Sequence, residues 1–346
     1  MKKKYQNIFF FVGILMFAIM ITQLDFHEVW KGLCRAGYWF LASVFLWAFL
    51  YGINAESWNI ILRSQRNPDG SKPEKQVPFG YLYKLTISGF SLNDATPAGL
   101  MGGEPYRIMS LAPIIGTERA TSSVILFAMT HIFSHFWFWL LAIFLYIITQ
   151  TVTTAMGILL FAVGTFCCLA IWFFMVGYRK GLALKCIELV SHIPGLKRKT
   201  LKFIAKHLQQ LDNIDNQIAA LHAQSHGSFV SAVFLELSCR VLSAFEIYFA
   251  LLVVAPHASY INCILILAFT SLLANALFFM PMQLGGREGG FLLSTKGLAM
   301  TTTDGIFVAL IIRVRECIWI AIGLLLIKFE QRQKKKSPQN SEHSDF

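Results

Sequence analysis

The sequence of 346 residues is 55% hydrophobic and only 14% charged, with a mean hydropathy of +0.56. Soluble domains carry about 25% charged residues, so a water-soluble fold is excluded. The net charge of +11 is not a nucleic-acid footprint, because most of the 30 Lys and Arg residues cluster at 2–4, 63–75, 179–206 and 328–336, in segments that the positive-inside rule assigns to the cytoplasm. Anionic inner-leaflet lipids are the natural partner of that charge, and no nucleic acid is implied.

The apolar runs have the length of membrane-spanning helices, about 20 residues or more, rather than the alternating segments of about ten that barrel strands show. The expected class is therefore all-α, a polytopic integral membrane helix bundle. A first span is predicted over 8–24. No small-residue cleavage site follows it, so it should remain as an anchor. A short outer loop with Asp25, His27, Glu28, Lys31 and Arg35 leads to a second span over 38–62. Glu56, near its inner end, should snorkel or be capped at the interface. Residues 67–78 read as a polar cytoplasmic loop containing the turn signal Pro68, Asp69, Gly70.

From 79 to 111 the chain is too polar for a lipid-facing helix and too apolar for a loop, with Lys84, Asn93, Asp94, Glu104 and Arg107 spread through it. That composition predicts a re-entrant hairpin with its tip near 97–103. A long aromatic span follows over 120–149, carrying His131 and His135 four apart on one face. Such a pair can bind a metal, but no carboxylate or cysteine accompanies it in this run, so hydrogen bonding between packed helices is the expected role and no metal site is assigned. The next span, 155–177, ends at Tyr178, Arg179 and Lys180.

Beyond a turn at Pro194 and Gly195, Leu201, Ile204, Leu208, Leu211, Ile218 and Leu221 fall on one helical face, with five basic residues from Lys197 to Lys206 beside them. This predicts a helix lying on the inner leaflet. Further spans are expected over 229–255, with Glu236 and Arg240 paired one turn apart, and over 260–280. A half-helix carrying Lys296 is expected over 291–300, and a last span carrying Arg313, Arg315 and Glu316 over 306–327. The tail from 337 to 346 is polar and expected to be disordered. The seven cysteines show no ligand or disulfide spacing and read as small hydrophobes, and no cofactor is implied.

The layout gives a first membrane half, 1–177, a cytoplasmic basic amphipathic linker, 178–228, a second membrane half, 229–328, and a basic then disordered cytoplasmic tail, 329–346. Both termini lie in the cytoplasm if the first broken segment turns back and the second crosses, for about eight crossings in all.

Two stretches carry the functional signal. The apolar run reaching Pro281 is followed by Gly285 and Gly286, then Arg287 and Glu288, then Gly289 and Gly290; Pro97 is followed in the same way by Gly102, Gly103 and Glu104, with Arg107 one turn on. In both, Leu stands three residues after the proline and Glu seven after it. Proline removes a backbone donor and glycine frees the chain from helical angles. Non-helical backbone at membrane depth is tolerated only where protein buries it or a polar cavity needs it. Paired Gly/Pro-broken segments in two halves of a chain mark the substrate site of repeat-built transporters, so a two-half pseudo-repeat is expected here.

These two motifs, together with Arg313 in the last span, resemble the flippase-like transmembrane family of lysylphosphatidylglycerol synthetase over about residues 5–328. Met282, Gln283 and Leu284 between the proline and the glycines, and Pro105 and Tyr106 after Glu104, depart from the family's commonest pattern. Bifunctional members continue into a cytoplasmic aminoacyl-transferring domain, which these 346 residues do not contain. The resemblance therefore implies the lipid-moving activity of a stand-alone member, with a phospholipid, an aminoacyl-lipid or a polyprenyl-linked glycolipid as cargo.

In that reading Arg107, Arg287 and Arg313 hold a phosphate by paired donors, and Glu104 and Glu288 orient them or contact an amine or hydroxyl. The backbone freed around Pro97, Gly102, Gly103, Pro281, Gly285, Gly286 and Gly289 supplies further donors. The competing reading of the same residues is a set of internal Glu–Arg pairs that lock the protein together. The alternative function is an integral-membrane glycosyltransferase, or its accessory subunit, acting on a lipid-linked sugar. No catalytic motif is found, and an enzyme is not the expectation. Besides the lipid substrate, a second copy of the chain or a lipid-synthesis enzyme are the candidate partners.

Overall fold

The structure, a computed structural model, describes residues 26–65, 76–95, 102–179, 226–255, 257, 259–276, 286–297 and 301–336. Among them the regular elements are all helices: α1 Phe26–Ala36, α2 Tyr38–Ser64, α3 Phe79–Ala95, α4 Gly103–Ile115, α5 Thr117–Thr149, α6 Thr154–Arg179, α7 His226–Val254, α8 Tyr260–Ala276, α9 Gly286–Gly297 and α10 Thr302–Lys336. The span expected at 8–24, the inner-leaflet helix expected at 201–221, the turns at 68–70 and 194–195 and the tail from 337 lie outside the described residues.

Four helical stretches are long and apolar enough to cross a bilayer: Tyr38–Ser64, Thr117–Thr149, Thr154–Met175 and Gly227–Val254; Tyr260–Ala276 is apolar but shorter. Their surfaces agree with that setting. On α6, Ile158, Phe161, Phe166, Leu169, Trp172 and Phe173 all point outward. In water so many exposed large apolar side chains would form a sticky patch, whereas against lipid tails they need no cover. The molecule is thus an all-α, multi-pass membrane protein.

Residues 26–36, read from sequence as an outer loop, are the helix α1. Gly37 ends it in the left-handed region (φ +55), with its N–H on the Leu33 carbonyl at 2.9 Å. An Arg followed by a glycine that can take that conformation is a helix stop signal. α1 packs on α10, where the Arg35 guanidinium lies 5.6 Å from the Phe307 ring centre.

The segment expected as a re-entrant hairpin forms two antiparallel helices, α3 and α4, on either side of residues 96–101, which are not described. The Gly103 N–H donates to Asn93 Oδ1 at 2.8 Å, the Arg107 guanidinium lies against Gly89, and the Tyr81 hydroxyl donates to the Ser110 carbonyl at 3.4 Å. Pro105 falls in the first turn of α4, where a missing N–H leaves no helical bond unmade. Gly286 and Gly289, expected as irregular backbone, lie instead in the first turns of α9. Gly290 explains part of that run: a Cβ there would stand 3.0 Å from Thr270 Cα, so it lets α9 approach α8 closely.

The chain forms two compact units. One comprises Met1–Tyr51, Tyr83–Arg107 and Ser243–Phe346, the other Gly52–Leu82 and Ile108–Leu242. In the first, Tyr51, Ile87 and Trp319 form a core with Trp47, Tyr83, Phe90, Ile322 and Leu326 around it. α10 runs antiparallel to α3: Lys84 pairs with Glu330 at 3.1 Å, Ser91 Oγ donates to the Trp319 carbonyl at 2.9 Å, and a Cβ on Gly323 would overlap Ser91. In the second unit, Trp58 stacks on Phe127 at 5.4 Å, and Phe133 contacts Phe174 and Phe229. Ser57 Oγ donates to the Ala232 carbonyl at 3.3 Å.

Candidate functional site

The sequence places Glu104 and Arg107 three apart, and on α4 that spacing puts them on one face. Arg107 Nη1 donates to Glu104 Oε1 at 3.3 Å and Nη2 to the Thr86 carbonyl at 3.4 Å. Its guanidinium carbon lies 4.7 Å from the centre of the Phe90 ring. The side chain is 2% exposed. Two glycines make this enclosure fit: a Cβ at Gly89 would fall on the guanidinium, and a Cβ at Gly103 on the Gly89 carbonyl oxygen. Arg107 is therefore seated between α3 and α4, where it acts as a wedge and an electrostatic anchor for Glu104.

Glu104 is placed differently. Its Oε1 accepts from Arg107 and from Asn93 Nδ2, the latter at 3.0 Å, while its Oε2 is buried with no hydrogen-bond partner. Asn93 holds the Gly103 N–H with its other end. One amide thus fixes both the start of α4 and the orientation of the carboxylate at the tip of the hairpin.

Arg313 is buried on α10 and Nη1 donates to Glu316 Oε2 at 3.3 Å, three residues on. Arg287 and Glu288 belong to α9, and their side chains lie outside the described residues, as do Pro97, Pro281 and Gly285. All five charged candidates, Glu104, Arg107, Arg287, Glu288 and Arg313, fall within the first compact unit, although the two motifs are some 180 residues apart. The structure brings Glu104 and Arg107 together as a pair, and Arg313 with Glu316.

Sequence reasoning gave no role to the best-formed ionic contact in the same unit. Arg315 Nε and Nη2 donate to Glu246 Oε1 and Oε2 at 2.6 and 2.9 Å, a two-pronged fork. Trp47 Nε1 and Ser43 Oγ donate to the same carboxylate at 2.8 and 3.2 Å, and the guanidinium stacks 4.0 Å from the Trp47 ring centre. The two partners stand 69 positions apart, beyond the reach of local spacing; only their position inside apolar runs marked them. Glu56 is half-buried and accepts from Asn59 Nδ2 at 3.0 Å, a local cap.

The second unit bears on two further expectations. His131 is joined by a carboxylate after all, from another helix: its Nδ1 stands 2.8 Å from Glu236 Oε2. Glu236 thus hydrogen-bonds His131 while it still interacts electrostatically with Arg240, one turn on, and Arg240 also donates to Ser134 Oγ at 2.7 Å and the His131 carbonyl at 2.8 Å. Among the described residues no group of three or more His, Cys, Asp or Glu side chains is disposed to hold a metal.

Fold and site together define a multi-pass helical membrane protein with ionised side chains paired inside its apolar bundle. The chain belongs to the family described as Lysylphosphatidylglycerol synthase TM region, whose model matches residues 7–323. No curated protein and no solved structure matches it.

Proposed function

We propose that the protein is a lipid flippase or transporter that carries a polar-headed lipid across the cytoplasmic membrane, without catalysing a covalent step. The observation that carries this reading is the family match over nearly the whole chain, which supports lipid movement as the activity; the helices long enough to span the bilayer are consistent with it. Intramembrane Glu and Arg residues are costly and are retained where a polar group must pass.

In the proposed site, Glu104 meets the headgroup through Oε2, the carboxylate oxygen that the protein leaves unpartnered, and Arg107 orients Glu104 from behind. Arg287 supplies a planar two-donor fork to a phosphate, assisted by Glu288 and Arg313. The lipid is a phospholipid, an aminoacyl-lipid or a polyprenyl-linked glycolipid. The surrounding topology is two pseudo-repeated halves, 1–177 and 229–328, with about eight crossings, a cytoplasmic linker, 178–228, and both termini in the cytoplasm. A second copy of the chain or a lipid-synthesis enzyme is the proposed protein partner.

Mass spectrometry of the lipid retained by the purified protein tests the reading. One headgroup class should be enriched over the host membrane and should then move between leaflets when protein and lipid are reconstituted in vesicles. Retention of bulk lipid alone, with no movement of any headgroup-labelled species, would contradict it.

A further inference from the structure

Two buried glutamates, one in each unit, are treated very differently. Glu246 has both oxygens satisfied by Ser43, Trp47 and Arg315, as expected of a carboxylate whose work is to hold helices together. Glu236 is more deeply buried, 1% exposed, yet only Oε2 is held, by His131 Nδ1 at 2.8 Å, and Oε1 is buried with no partner. Arg240, one turn further along α7, could have closed that gap. It donates hydrogen bonds to Ser134 and to the His131 backbone and acts on Glu236 electrostatically, so the hydrogen bond to the carboxylate is the imidazole's.

The imidazole is the accessible member of the pair. The His131 side chain is 31% exposed and lies near the middle of the 33-residue α5. One turn on, the His135 ring stands 5.7 Å away at 88°, and its Nδ1 is buried without a partner. A histidine in contact with a carboxylate is the side-chain pair whose charge changes between about pH 5 and 8. At membrane depth such groups mark proton pathways.

We propose that Glu236 and His131 form an intramembrane proton-binding site, with His135 as its continuation along α5. In the resting form His131 is neutral and donates its Nδ1 proton to the ionised Glu236. A hydronium ion gives a proton to Nε2, one of its O–H bonds breaking as the N–H bond forms, and the imidazolium is then stabilised by the carboxylate through a charge-assisted bond. Only one N–H bond forms, and water is the conjugate base left behind. Among the described residues, the titratable groups of α5 and α7 at this site are His131 and His135 on α5 and Glu236, Cys239 and Arg240 on α7. From α2, Asn54 and Ser57, both uncharged, reach α7, and α6 meets α5 through phenylalanines. Arg240 balances the carboxylate in the resting form, so uptake takes the cluster from neutral to a single positive charge. A site whose charge changes inside the bilayer gives a pH difference across the membrane a handle on this unit. The site stands whether or not the protein moves lipid.

Nuclear magnetic resonance of the full-length protein in lipid nanodiscs, with 15N-labelled histidine and the His131 signal assigned by His131→Gln, reads the site directly. The ring nitrogens of His131 should pass through one transition between about pH 5 and 8. Glu236→Gln should lower its midpoint by at least one pH unit, a tenfold loss of proton affinity. A wild-type His131 signal that stays constant across that range overturns the proposal without recourse to any variant, as does a midpoint that Glu236→Gln leaves unmoved. If Glu236→Gln does not fold, Glu236→Asp, which keeps the charge and withdraws it by one methylene, must shift the midpoint, and an unshifted one is equally fatal.

Discussion

Arg107 and Arg315 show two uses of the same side chain at the same depth. Arg107 is wedged between α3 and α4, donating to Glu104 Oε1 and to the Thr86 carbonyl, and its neighbour Glu104 keeps an oxygen uncommitted. Arg315 and Glu246 form a two-pronged fork that fixes α10 to α7. Removing one member of a buried pair strands the other charge, at about 3–5 kcal/mol, whereas replacing both by apolar side chains of similar size is often close to neutral. Arg315→Met should therefore lower unfolding stability in detergent by that amount, and Arg315→Met with Glu246→Leu should recover most of it. Full stability of the single variant would show that the fork does not hold the unit together. Glu104 and Arg107 were legible in the sequence because the motif that begins at Pro97 repeats the one at Pro281, with Glu seven residues after the proline in both. Arg313 was singled out through the family resemblance, and Arg315 was passed over because nothing local marks a partner 69 positions away.

At the scale of elements, the α3–α4 hairpin depends on backbone approach. A methyl group at Gly103 would fall on the Gly89 carbonyl and one at Gly89 on Arg107, while Gly80, near the start of α3, has open space around it. Overpacking a closed contact costs about 1–3 kcal/mol. Gly103→Ala and Gly89→Ala should each destabilise the protein by about that much in thermal unfolding in detergent, and Gly80→Ala should stay within about 0.5 kcal/mol of wild type. Equal tolerance at all three positions would mean that the helices do not pack as described. Here the sequence was informative in kind and inaccurate in detail. Mixed polarity from 79 to 111 announced a hairpin, but the glycine pairs suggested irregular backbone where Gly103 and Gly286 begin helices. A glycine between helices either frees the backbone or admits a neighbour, and composition does not distinguish the two. α1 was missed for a related reason: its charged residues suggested a loop, while the stop signal at Gly37 was overlooked.

For the whole molecule, hydropathy alone announced a helical membrane protein, and four of the predicted spans are long apolar helices. Charge distribution predicts the orientation, which single cysteines can test. Placed at Lys3, Gly70, Gly195 and Ser341 in a cysteine-depleted variant, all four should label only after the inner face is opened. Labelling at position 341 from outside would remove the second broken segment's crossing. The central claim, that the two motifs form a headgroup site on a lipid path, is tested most directly by lipid movement in reconstituted vesicles containing wild type, Arg287→Ala, Arg287→Lys, or Arg287→Ala with Glu104→Gln. Wild type should move the headgroup-labelled lipid. Arg287→Ala should stay folded and lose the movement, Arg287→Lys should retain a fraction because an ammonium lacks the planar fork, and the double variant should remain inactive. Recovery of both fold and movement in the double variant would show that the two charges exist for each other, and would contradict the headgroup site.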